Sequence, residues 1–243
     1  MRMLNFAKRN FKELVRDPLS LIFEIILPIF LLFIFQQIDL PEEIYSIENF
    51  TPGIIIFGFS FVTLFTASLI AKDRGSSLLI RLGTSPMKAS DYILGYILSL
   101  IPIIIIQNIL FFISAMLLGL SFNISIIYTI LISIIVSIIF ISFGILIGSL
   151  VSEKGAGGIG SLIVQLVVFT SGMYFSSDMM GKVFSTICKY LPFESSLVII
   201  RGFLSNNLNI ISERNIIVFS LYTVIILVLS IIVFKKKMVS DNK

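Results

Sequence analysis

KDRGSSLLIRLGTSPMKASD, residues Lys72 to Asp91, is a charged, turn-rich island between two long apolar runs, and its reading decides how the chain is organised. On a helix at about 100° per residue, Arg74, Ser77 and Arg81 fall on one narrow face, while Leu78, Leu79, Ile80 and Leu82 cover the remainder. Gly83 and Pro86 stop such a helix. A short helix that is apolar nearly all round, with two arginines on one side, needs cover. Two covers fit: the headgroup layer, with the arginines on phosphates, or a socket in another protein.

Outward from the island, the chain is almost unbroken hydrocarbon. Hydrophobic residues make up 57% of it and charged residues 13%, and the mean hydropathy is +1.06, which places it among integral membrane proteins. The apolar runs are long enough to cross a hydrocarbon core of roughly 30 Å as helices, and they lack the alternation of barrel strands. The expected class is all-α. A net charge of +4 would suggest nucleic acid in a soluble protein, but the bases here flank apolar runs, which is a topology signal and excludes a nucleic-acid partner. With one cysteine, Cys188, and no histidine, no internal disulfide and no zinc or haem site is expected.

Six spans are expected. Met3 to Arg16 reads as an amphipathic interfacial helix, with Met3, Leu4, Ala7, Phe11, Leu14 and Val15 opposite Lys8, Arg9, Lys12 and Arg16; it should lie flat on an anionic leaflet. Asp17 is a natural N-cap and Pro18 a natural first helical residue, so the chain divides into an interfacial helix, 1–17, and a membrane domain, 18–243. The spans are expected at about Leu19 to Ile38, Pro52 to Ala71, Tyr92 to Leu120 with room for a bend at Pro102, Ile124 to Val151, Gly158 to Phe175 and Ile216 to Phe234. Gln36, Gln37, Asp39 and Pro41 follow the first, unlike the small residues of a cleavage site, so it should be retained. Residues 176–215 are too polar to span and too apolar to be simply solvated; they read as two short helices dipping into the outer leaflet and broken at Pro192. All but four of the 18 Lys and Arg residues (Lys182, Lys189, Arg201 and Arg214) then fall on the side of the island and both termini, which is therefore cytoplasmic.

Few groups in these spans carry chemistry. Glu24 is the one ionisable side chain well inside a span, read either as snorkelling to the inner interface or pairing with a nearby base, or as a substrate or ion ligand. Gln107, Asn108 and Gln165 either line a translocation path or bond helix to helix. Gly144 and Gly148 form a GxxxG that suggests close helix approach or a kink, and Gly155, Gly157, Gly158 and Gly160 crowd the start of the fifth span. No nucleophile with a base, no carboxylate pair on one face and no metal-ligand cluster is legible. No GxxxxGK[ST] occurs, so nucleotide is not expected in this chain, and any ATP-driven work must draw on another polypeptide.

Three stretches resemble the permeases of ABC-2 type ABC transporters, the group that includes daunorubicin-type and multidrug or antibiotic-resistance exporters: DRGSSLLIRLGTSPMKASDYILGY at Asp73 to Tyr96, TPGIIIFGF at Thr51 to Phe59, and SGMYFSSDMM with KYLPFESSLVIIRGFL between Ser171 and Leu204. The resemblance covers essentially the full length. It implies an interfacial helix, six spans and a re-entrant outer hairpin before the last, in a bacterial cytoplasmic membrane. It further implies that residues 72–91 form a coupling helix on a separate cytoplasmic ATPase present in two copies, that ATP and Mg bind there, and that two permeases, identical or homologous, pair. Carried over by position, Arg74, Ser77, Leu78, Arg81 and Leu82 contact that ATPase, with the helix up to Arg16 as a second contact. Ser77 stands where the family usually has Gly, Gly75 where it has an acid, and Ser177 and Met180 where prolines are common. An apolar path suits export of an amphipathic drug, antimicrobial peptide or lipid-like molecule; sodium or polysaccharide export remains an alternative within the family, and a channel or scaffold subunit outside it.

Overall fold

The computed structural model describes residues 2–38, 43–76, 88–175, 179 and 181–240, and all regular structure among them is helical. Ser177 and Met180, with Ser77, Leu78, Arg81, Leu82, the expected stop at Gly83 and Pro86, and Asp39 to Glu42, lie outside the described residues.

The helices are α1 (Arg2–Val15), α2 (Pro18–Gln37), α3 (Ile47–Gly75), α4 (Ala89–Leu117), α5 (Ser125–Leu150), α6 (Glu153–Thr170), α7 (Lys182–Tyr190), α8 (Pro192–Leu204) and α9 (Glu213–Ser240). Five of them, α2, α3, α4, α5 and α9, are long and apolar enough to cross a membrane, and α7 with α8, bent by 75°, makes a sixth if the pair counts as one span. The expected break at Pro192 is where that bend falls, with Pro192 in the first turn of α8.

In α3, 83% of the apolar stretch is buried, against 22% in α2 and 17% in α9, so α3 is the axis of the bundle and the other two are its periphery. α3 is apolar all round because it touches neighbours all round: α5 and α6 run along it, with α8, α4 and α2 closing the remaining sides. Small residues set the closest approach. A Cβ on Gly148 of α5 would lie 2.5 Å from the Ala67 carbonyl oxygen of α3, and Thr63 Oγ1 donates across the same seam to the Phe140 carbonyl at 2.8 Å.

Asp17 caps α2 as its sequence predicts: Oδ1 accepts from the Leu19 and Ser20 amides at 3.2 and 3.5 Å. Two features depart from expectation. Residues Ile22–Ile26 of α2 form a π-helical turn, because Pro28 has no N–H to offer the Glu24 carbonyl four residues earlier. The polar loop expected at Ser152 to Gly157 is helical: Ser152 starts α6, its carbonyl accepting from the Ala156 amide at 2.8 Å, and Glu153 sits favourably in the first turn. Gly155 and Gly157 therefore lie within α6 instead of before it. With Glu153, Lys154 and four glycines diluting its first turns, α6 is not among the five strongly apolar helices, yet its 18 residues extend about 27 Å alongside α3.

Candidate functional site

The described part of the island begins where α3 ends, and there the sequence folds into a closed polar knot. Asp73, in the last turn of α3, is fully buried. Arg9 of α1 brings Nη1 to 2.7 Å from each Asp73 oxygen, and Tyr96 of α4 donates its hydroxyl to Oδ2 at 2.7 Å. One buried carboxylate thus ties three helices. Arg9 also pairs with Glu13 one turn along α1 and donates to Asn10 Oδ1 at 2.8 Å, while Lys72 Nζ returns from α3 to Glu13 Oε1 at 2.8 Å. The charges are compensated in sequence: base, acid, base, acid around a ring that starts and ends at neighbouring residues of α3.

Aromatic rings insulate the buried half of this ring, Asp73 and Tyr96. Phe6 meets Tyr92 and Tyr96 edge-on, at 5.3 and 5.0 Å between centroids, and Phe234 of α9 packs on both tyrosines from the other side. Water is excluded from Asp73, which strengthens its bonds to Arg9 and Tyr96 and makes loss of either partner costly.

Arg74 points elsewhere. Its Nη1 donates to the Gly148 and Val151 carbonyls at 3.0 and 3.2 Å, at the C-terminus of α5, where free carbonyls and the helix dipole favour a cation. The first residues of the island are therefore bolted to α1, α4 and α5 at once.

The remaining sequence candidates separate. Gln107 and Glu24 come together: Gln107 Nε2 donates to the Glu24 carbonyl at 3.3 Å, satisfying the acceptor that Pro28 leaves free. The Glu24 side chain is 1% exposed and its Oε1 has no hydrogen-bond partner among the described residues, so it does not snorkel. Asn108 turns toward α5 and donates to Ser133 Oγ at 2.8 Å, a helix-to-helix bond. Gln165 lies on the exposed face of α6, on one stripe with Lys154, Gly158 and Ser161.

Sequence reading missed Arg9, Asn10, Glu13, Asp73 and Tyr96 as a unit. The Arg9–Glu13 spacing of four was available as a signal; the long-range partners Asp73 and Tyr96 were not. It also placed the buried face of α1 one step off. Phe6, Ala7, Asn10 and Leu14 are buried, whereas Leu4 and Val15, expected on the same side as Ala7 and Leu14, are 59% and 44% exposed.

A family model described as ABC-2 type transporter matches residues 3–206. No curated protein matches the chain.

Proposed function

The chain belongs to the ABC-2 type transporter family, a family of membrane permeases and not of catalytic domains, and on that premise we propose that it is the membrane half of an ATP-driven exporter. It is a multi-pass permease subunit of an ABC transporter. In the proposed reading it sits in a bacterial cytoplasmic membrane with both termini in the cytoplasm, and α7 and α8 dip into the outer leaflet. Two copies of a separate ATPase bind ATP and Mg, and a second permease, identical or homologous, completes the path. The cargo is an amphipathic drug, antimicrobial peptide or lipid-like molecule, in keeping with helices that are apolar along most of their length.

The observation that carries this reading is the knot at Asp73. Closure of the ATPase pair would push on the island, and its first residues are held to α1 by Arg9, to α4 by Tyr96 and to α5 by Arg74. A push there cannot be absorbed locally, because three helices share the anchor; it moves them as a body. Such a lever works when the ligand-bound and free states of the ATPase make different contacts with it.

The test is co-purification of the chain with the ATPase encoded beside it, then ATP hydrolysis in lipid nanodiscs with candidate amphiphiles. A stable complex stimulated by one compound is the expected result. Asp73→Asn should keep membrane insertion and ATPase binding while substrate stimulation falls by about tenfold. Arg81→Glu, which leaves the Arg74 anchor in place, should weaken ATPase binding. Unchanged stimulation in Asp73→Asn would overturn the lever, and absence of any ATPase partner would favour a channel or scaffold subunit.

A further inference from the structure

A groove of about 930 Å³ opens between α1, the start of α2, the Lys72 half of α3 and the first residue of α6. Five cations line it, against three carboxylates. The carboxylates are not all available to those cations. Asp17 is spent on the cap of α2, and Glu13 is held by Arg9 and Lys72. Lys8, Lys12 and Arg16 form no ion pair among the described residues, and all three are exposed. Spaced by four residues along α1 and onto the residue that follows it, they make one row about 12 Å long along the rim.

The row has apolar surface on both sides. Leu4 and Val15 flank it on α1 itself, exposed although α1 has another face on which to bury apolar residues. Phe65 and Leu69 of α3, with Ser68 between them, form the floor. A soluble anion would use the cations and leave the floor uncovered. An anionic headgroup with an attached chain uses both.

We propose that this groove holds an anionic glycerophospholipid of the leaflet at the Lys72 end, with its phosphate on Lys8, Lys12 and Arg16 and one acyl chain along Phe65 and Leu69. The site rests on the membrane placement of the chain and not on its having an ATPase, so it stands or falls separately from the exporter reading. Its position couples it to the knot: Arg9 and Lys72 line the same groove, so a bound lipid lies against the ring that holds the start of the island.

Native mass spectrometry of the full chain in mild detergent reads this directly, with dioleoylphosphatidylglycerol or dioleoylphosphatidylcholine added at equal concentration. One retained phosphatidylglycerol is expected, at least about fivefold over phosphatidylcholine. The K8Q/K12Q/R16Q variant should fall to the phosphatidylcholine level. Ser68→Trp, which fills the floor and keeps every cation, should lose the lipid as well. Equal retention of the two lipids, or retention by the triple variant, would overturn the site. Displacement of the lipid by an equal concentration of glycerol phosphate would show an anion site and also overturn it. If the triple variant does not elute as the parent does, Lys12→Gln alone carries the test: about a threefold loss is expected, and none would sink the proposal. ATPase co-purification, measured in parallel, keeps this outcome distinct from that of the exporter reading.

Discussion

At the Lys72 end of the bundle, α1, α3 and α4 meet through a buried carboxylate, a guanidinium and a phenol. At the other end, α2, α3 and the segment after α6 meet through rings: Phe35 packs on Tyr45, Phe50 and Tyr174 at 5.6, 4.9 and 5.3 Å, and the Tyr45 hydroxyl donates to the Tyr174 carbonyl at 2.8 Å. A cation serves there too, but on carbonyls: Arg201 donates to Asn49 and Gly172 at 3.2 and 3.5 Å. The difference is one of failure. Ring contacts and single hydrogen bonds are lost one at a time, each at its own modest cost. Breaking the buried half of the ionic ring, Asp73 with Arg9 and Tyr96, leaves its partners without an answer inside the protein, so that part fails as a unit.

Asp73→Ala should therefore have the largest effect, about 3 kcal/mol by SDS titration of the micelle-embedded chain followed by circular dichroism, because it strands Tyr96 inside and releases α1. A cycle with Arg9→Ala should give a coupling of about 1–3 kcal/mol; additivity would mean that the knot is not a unit. Next come the glycines. Gly148→Ala meets the Ala67 backbone at 2.5 Å, which cannot yield, whereas Gly53→Ala meets the flexible Met173 Cγ at 2.8 Å. About 2 kcal/mol is expected for the first and less than about 1 for the second. Equal losses would remove the contrast between a seam of backbone and one of side chains.

Tyr45→Phe keeps the stacked ring and loses one hydrogen bond to a carbonyl, so about 1 kcal/mol is expected in the same titration. The smallest effect belongs to Lys72→Gln. Its side chain is 55% exposed, and an ion pair so open to solvent contributes about 0.5 kcal/mol, further reduced in high salt. A loss as large as that of Asp73→Ala would mean that the whole ring, and not its buried half, holds α1 in place.

Much of this was legible beforehand wherever the signal was local. Asp17 and Pro18 announced the start of α2, Pro192 the bend between α7 and α8, and Gly144 with Gly148 a close helix approach. The start of α6 was placed at Gly158 and not at Glu153 because Gly155 and Gly157 read as loop; Gly160, already expected inside the span, is the one that meets α3, where a Cβ would lie 2.5 Å from Leu64 Cδ1. Pro28, which leaves the Glu24 carbonyl free at the π-helical turn, is local; Gln107, which donates to that carbonyl, is 83 positions away.

Composition and spacing by themselves determined an all-α membrane protein, its order of helices and the family resemblance, because burial in hydrocarbon forces every backbone group into helices and so writes the spans into runs of apolar residues. Which polar residues meet was decided by the tertiary structure alone. Arg9 and Asp73 are 64 positions apart, and Tyr96 reaches Asp73 from 23 positions away. No periodicity encodes such a meeting, since the cost of leaving a buried carboxylate unpaired is felt only once α1, α3 and α4 have been brought side by side.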